Sequence, residues 1–326
     1  MKKLLLAAAV SVAAGSANAA TVYENGGLSY KVNGDFQIQF RQATGHEDDN
    51  RAEIEYDDLE LKNFISYDLG NDLAAFGRLD FGFKDAAEDD ENGSNLEEAF
   101  VGLKYGVASV SFGKQNFATD EFGIEEAIEV ETIDEDRFDD TGTDGDDTIR
   151  VDVELDKVYF AASHEMDASD DDDGIDGEFY DLFVATDLAG LELAAAYQVW
   201  NPVDLDDSVG TWGLSASYDF GFMNLAADYS VSDWSDVGTW EEEDMTQYNV
   251  AAVFPVASTT DVALGMGNKD SDAWEEDITE WYANVTYKFP AQKNVSVFAE
   301  IAQSDEEYDD GDDAELGFLA GMRVKF

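Results

Sequence analysis

From Tyr30 to the end of the chain, apolar side chains recur at every second residue in segment after segment. Phe36, Ile38 and Phe40 set the pattern, with Lys31, Asn33, Asp35, Gln37 and Gln39 on the other parity. It returns in Leu79, Phe81 and Phe83, in Leu191, Leu193, Ala195 and Tyr197, in Trp281 through Phe289, and in Val295 through Ile301. Successive side chains of a strand point to opposite faces, so each segment reads as a strand with one apolar and one wet face. No apolar stripe of helical period and comparable length accompanies them, which directs the chain to an all-β fold.

The connections alternate in kind. Tight turns fall at 68–72, 105–108, 154–157, 188–190, 219–222, 255–260 and 290–294. Longer acidic connections fall at 46–50, 85–93, 116–148, 167–177, 201–207, 233–244, 270–277 and 304–313. Seven turns and eight loops join sixteen strands, an even number with short turns at one end and long loops at the other. That is the arrangement of a transmembrane antiparallel barrel, and a soluble sandwich gives no reason for it. Tyr67, Tyr105, Tyr218, Phe220, Tyr287 and Phe289 all sit beside short turns, as an interfacial girdle would. Aromatics favour strands in any case, so their shared position carries the argument. All three prolines, Pro202, Pro255 and Pro290, lie in connections, where no ladder bond is lost.

Closure explains the ending ELGFLAGMRVKF, in which Leu316, Phe318, Ala320, Met322, Val324 and Phe326 share one parity. In a bilayer every backbone donor and acceptor needs a partner, so the last strand must pair with the first. A barrel of about 16 strands is too wide for side chains to fill and leaves an aqueous channel.

The N-terminus carries Lys2 and Lys3, an apolar run from Leu4 to Ala14, and Ala17-Asn18-Ala19. This reads as a secretory signal peptide over residues 1–19, with the barrel over 20–326. Its apolar core is too short for a spanning helix, which needs ~20 residues. The chain holds 75 acidic and 18 basic side chains, a formal charge of −57, which disfavours nucleic acid and anionic surfaces as partners. Such charge often marks disorder, yet 44% hydrophobic and 13% aromatic content supplies material for an ordered structure. With no cysteine, neither a disulfide framework nor a Cys-ligated metal holds it together.

An export signal followed by a terminal aromatic strand ending in Phe326 resembles the assembly signature of Gram-negative outer-membrane barrels, and the whole mature chain resembles a general bacterial porin. The connection from Asn116 to Thr148 is far longer than the rest. It follows VSFGKQNFA, contains TDEFGIEEAIEVETIDEDRFDD, and is similar to the third porin loop, which folds into the barrel and narrows it. By that resemblance Asp120, Glu121, Glu125, Glu126, Glu129, Glu131 and Asp134 form the acidic side of a constriction, with Glu121-Phe122-Gly123 similar to a motif at the loop's tip. Arg41, Lys62, Arg78 and Arg150 fall on the polar phase of their strands and form the facing wall. Arg150, in TIRVDVE, matches the family's arginine after the loop, and its guanidinium is expected to face the loop carboxylates across a gap. Glu97 stands about where general porins often carry a wall arginine, so the basic half looks depleted. The resemblance further implies a homotrimer, outer-membrane lipid and lipopolysaccharide as surroundings, the barrel-assembly machinery as a transient partner, and small hydrophilic solutes as cargo, with no cofactor.

DASDDDDGIDG invites a calcium loop, but placing Gly174 at the sixth position puts Ser169 first and Tyr180 at the bidentate twelfth, so the motif fails. No metal site is assigned. A hydrolytic barrel needs a base beside a nucleophile or water, and the only histidines, His46 and His164, sit in no nucleophile motif. An adhesive or structural barrel would have a plugged or narrow lumen, and this chain is long for a small adhesive barrel. The sequence therefore reads as a sixteen-stranded outer-membrane diffusion channel with a preference for cations.

Overall fold

The computed structural model describes residues 20–45, 51–88, 93–128, 130, 135–166, 177–203, 208–234, 244–271, 277–307 and 313–326. Residues 1–19, His46, Glu129, Glu131, Asp134, Ser169 and Gly174 lie outside these, so the sequence expectations that fall on them are not addressed by it. The strands are β1 (Ala20–Asn25), β2 (Leu28–Gln42), β3 (Glu53–Gly70), β4 (Leu73–Gly82), β5 (Asn95–Tyr105), β6 (Ala108–Asn116), β7 (Asp144–Glu154), β8 (Val158–Glu165) and β9 (Gly177–Leu188). They continue as β10 (Leu191–Pro202), β11 (Val209–Asp219), β12 (Asn224–Asp233), β13 (Asp244–Ala257), β14 (Thr260–Ser271), β15 (Ile278–Phe289), β16 (Gln292–Ser304) and β17 (Gly317–Lys325). A short helix, α1 (Lys84–Glu88), follows β4.

Strands β2 to β17 each pair antiparallel with the next, and β17 returns to β2 in a register running from Phe318↔Gln42 to Lys325↔Asp35. The sheet is a closed barrel of sixteen strands. Beyond that register Phe326 and Gly34 exchange backbone hydrogen bonds of 2.9 and 3.0 Å. From there β1 continues along the same edge of β2, from Ala20↔Val32 to Asn25↔Leu28. The alternation reading did not include β1, whose six residues are all exposed.

The β3–β4 turn falls where turn chemistry allows it. Asn71 and Asp72, between β3 and β4, both take positive φ, 57° and 63°, as a two-residue hairpin turn requires and as Asn and Asp tolerate. The two faces of the barrel strands are inverted relative to a soluble protein, as β2 shows. Gln37 and Gln39 are 1% and 2% exposed, while Phe36, Ile38 and Phe40 between and beside them are 37–46% exposed. The exposed set includes every aromatic assigned to the girdle, from Tyr67 to Phe289. An apolar outer face and a polar inner one is the pattern a barrel needs when lipid is outside and water inside.

Candidate functional site

The long connection between β6 and β7 begins with a 3-10 turn over Ala118–Glu121. Its root is held by Arg150 on β7. One terminal nitrogen, Nη1, donates to the carbonyls of Asn116 and Phe117 at 3.1 and 2.8 Å, and Nη2 donates to Glu121 at 2.7 Å. Nε donates to Asp152 at 3.1 Å, and the Tyr159 hydroxyl donates to the same carboxylate at 2.6 Å. The guanidinium therefore sits inside the root of the connection, in contact with Glu121, where the sequence reading placed it across a gap from the loop acids.

Farther along, described residues of the segment meet side chains from several strands. The Phe122 ring lies where a side chain on Gly213 would be, and meets Phe138 edge-on at 5.2 Å. Both rings join an apolar cluster with Tyr159, Ala161, Phe183, Ala185 and Ala196. The backbone N–H of Glu126 donates to the Tyr282 hydroxyl at 2.8 Å. Glu300, 2% exposed, accepts from the backbone N–H groups of Ile128 at 2.8 Å and Val130 at 3.1 Å, and from the Asn284 amide at 2.9 Å. Val130 packs with Phe298 and Leu319, and its carbonyl accepts from the Thr44 N–H at 3.0 Å. On the return, the fully buried Arg137 donates through Nε to Ser232 at 2.9 Å and pairs with Asp140, which Lys269 also reaches at 3.1 Å.

Facing this segment, on the β3–β5 wall, is a cavity of about 650 Å³. Its charged lining is Glu60, Lys62, Arg78, Asp80, Glu97, Glu98 and Lys114, with Asp120 and Asp144 from the connection and its end. The cations are paired within the wall: Lys62 with Glu60, and Arg78 with Asp80 at 2.6 Å and Glu98 at 2.7 Å. Lys114 pairs with Asp146. The lining holds six acids and three bases in all, and of the acids Glu97, Asp120 and Asp144 are not paired with a wall cation. Burial pushes the Asp120 carboxyl above its ordinary range against the opposing pull of Asn116 and Arg150, and burial raises Glu121 in the same way despite its bond to Arg150.

The expected site residues thus separate. Asp120, Lys62, Arg78 and Glu97 meet at the cavity, while Arg41 pairs with Glu55 at 3.2 Å outside its lining. Glu121, Glu125 and Glu126 line a second, smaller cavity on the other side of the segment. The Phe326 ring lies where a side chain on Gly34 would be and meets Phe36 edge-on at 5.6 Å, at the closing seam. Sequence reasoning did not single out Glu60, Asp80, Glu98, Lys114 or Asp144 at the first cavity, nor Arg137, Tyr282 and Glu300 under the connection. Glu60 and Asp80 were accessible to it: each is two residues from a wall cation, on the same face. The aromatics beneath the connection also leave a signal, because Tyr159, Phe183, Tyr282 and Phe298 are apolar on the wet parity.

Comparison with known proteins bears on this arrangement. A family model described as Gram-negative porin matches residues 6–310. The Porin-like protein H of Photobacterium profundum is 24% identical over 347 aligned positions that span all of both chains. Solved structures of OmpT, an outer membrane protein of Vibrio cholerae, superpose with TM-scores of 0.77 for a form lacking loop L8 and 0.74 for a trimer form. Each is 18% identical and covers 92% of this chain and 100% of that one. The anion-selective porin of Comamonas acidovorans superposes at 0.76, with 16% identity over 92% of this chain and all of its own.

Proposed function

Because the chain belongs to the Gram-negative porin family and so to the outer membrane, we propose that it is a passive channel for small hydrophilic solutes and ions with a preference for cations. The single observation that supports the preference is the pairing of wall cations within the wall. Lys62 and Arg78 spend their charge on Glu60, Asp80 and Glu98, which leaves Glu97, Asp120 and Asp144 to set the potential of the cavity. A narrow polar passage of one net sign concentrates the opposite ion. The sign is a property of these side chains and not of the fold, since an anion-selective porin has a similar barrel.

On this reading the connection between β6 and β7, which ends at Thr143 and not at Thr148 because β7 begins at Asp144, is the constriction, folded inward, and its bonds to Tyr282 and Glu300 support that placement. Residues 1–19 serve as the export signal, and Phe326 as the assembly signal at the seam. Small hydrophilic solutes cross through the cavity on the β3–β5 wall; lipid, lipopolysaccharide and the assembly machinery meet the outer face and the closing strand. A homotrimer is the working assembly, as in the trimer form of the Vibrio cholerae protein. The test is a planar-bilayer recording across a salt gradient. Stepwise conductance with a reversal potential favouring cations is expected. A reversal potential favouring anions sinks the charge argument, and correctly folded protein that opens no channel sinks the channel reading itself.

A further inference from the structure

The cavity on the β3–β5 wall presents donors and acceptors that are not spent on each other. Arg78 on β4 donates through Nε to Asp80 at 2.6 Å, and Glu98 lies 2.7 Å from the same nitrogen. Asp80 is 1% exposed and also accepts from the Asn63 N–H at 3.1 Å, so a fixed carboxylate holds the guanidinium in one orientation. No hydrogen bond or ion pair joins Nη1 or Nη2 to a described residue, and the side chain keeps 19% exposure where it lines the cavity. Arg78 therefore offers the cavity a pair of N–H donors whose charge the wall already balances. Asp120 and Asp144, both exposed, line the same space from the two ends of the connection, and Glu97 lines it from β5. Arg78 is near enough to Asp120 to act on its carboxyl.

Ionised carboxylates only accept, and a guanidinium only donates. A metal ion or an ammonium group satisfies the acids and leaves the Arg78 donors unused. A simple anion satisfies Arg78 but meets Asp80 and Glu98 beside it, and an amino acid brings its carboxylate to those same two acids. A hydroxyl donates and accepts without carrying charge, and two hydroxyls on adjacent carbons can take both Nη donors as a bidentate acceptor does. The volume, about 650 Å³, lies within the range of ligand sites, about 300–1,000 Å³. Each such bond replaces one to water, so the hold is weak enough for release, as conduction requires. Resting on the channel reading above, we propose that this cavity is a subsite for small polyhydroxylated solutes of monosaccharide size, whose adjacent hydroxyls accept from Arg78 Nη1 and Nη2 and donate to Glu97 and Asp120.

Glucose is the probe, with glycine and triethylene glycol as controls, added to single channels recorded in potassium chloride. Triethylene glycol is similar in size but carries hydroxyls only at its ends. Glucose is expected to reduce the current saturably, with its half-effect at concentrations about tenfold below either control, a factor equal to about 1.4 kcal/mol. Arg78→Lys keeps the charge and removes the fork, and Glu97→Met removes an acceptor at similar length. Each should raise the half-effect concentration of glucose about tenfold, with the current of each variant normalised to its own solute-free value. Heat-modifiable gel mobility verifies that both variants fold. Glucose block unchanged in either variant, or block by glycine or triethylene glycol at the same concentrations as glucose, overturns the subsite while leaving the channel reading in place. Absence of any conductance in the unaltered protein overturns that reading and the subsite with it.

Discussion

Arg150 illustrates how one buried charge can position a whole segment. Its side chain is 9% exposed and holds two carbonyls, two carboxylates and a phenol oxygen, so removing it would strand Glu121 and Asp152 together without a counter-ion. Breaking a buried pair by deleting one partner typically costs ~3–5 kcal/mol. Arg150→Met is therefore expected to lower the temperature at which the barrel loses heat-modifiable mobility, and to make the open-channel current noisier as the loop root loosens. An unchanged melting temperature with quiet current would show that the guanidinium is dispensable. Acidification addresses Asp120. Burial raises its carboxyl, so its charge is present above the raised value and is lost as the pH falls through it. Cation preference should begin to decline on acidification above the ordinary aspartate range near ~3.9. Asp120→Asn should remove the Asp120 share of that titration, which reversal potentials taken at stepped pH on both proteins would register. Among single residues, Arg150 was legible as important because it follows the long connection on the wet parity. Its direct hold on the loop backbone was not, because that depends on where the chain folds back.

At the level of elements, the short-turn and long-loop alternation was enough to locate the sixteen barrel strands, because a period of two leaves little freedom in a sheet with one face in lipid. The omitted element, β1, has no buried face and hence no alternation to detect: Ala20–Asn25 is exposed throughout and is held by its register with β2. Harder still was the placement of the long connection, since nothing in the local pattern of residues 116–143 says which wall it meets. The receiving wall does carry a mark, in aromatics on the wrong parity and in Glu300, a buried acid with backbone N–H groups as its partners. Glu300→Ala is expected to leave the Ile128 and Val130 donors without their acceptor, at about 1–3 kcal/mol for each buried group left unsatisfied. The tip of the connection should then detach from β16 and the barrel should stay closed. Hydrogen exchange should accelerate at Ile128 and Val130 and remain slow in the β16–β17 ladder. Fast exchange across both would mean that Glu300 supports the sheet and not the connection.

For the whole molecule, the distribution of charge matters more than its total of −57. Much of that acid lies in the long loops, where its reach depends on salt: the screening length is about 30 Å at 0.01 M, 10 Å at 0.1 M and 3 Å at 1 M. On the proposed path, acids in the cavity on the β3–β5 wall would act on ions within a few ångströms and be screened much less. Two triple variants separate these sources. Neutralising Glu97, Glu98 and Asp120 together (E97Q, E98Q, D120N) should lower cation preference at both low and high salt, because these carboxylates line the cavity proposed as the path. Neutralising Asp171, Asp172 and Asp173 in the 167–177 loop should lower it at 0.01 M and leave it nearly unchanged at 1 M, as expected for charge acting through solvent over a screening length. Reversal potentials for the two triplets at both ionic strengths decide the matter. If the loop triplet acts as strongly as the cavity triplet at 1 M, selectivity arises at the acidic mouth, and the pairing of Lys62 and Arg78 within the wall loses its role in selecting ions.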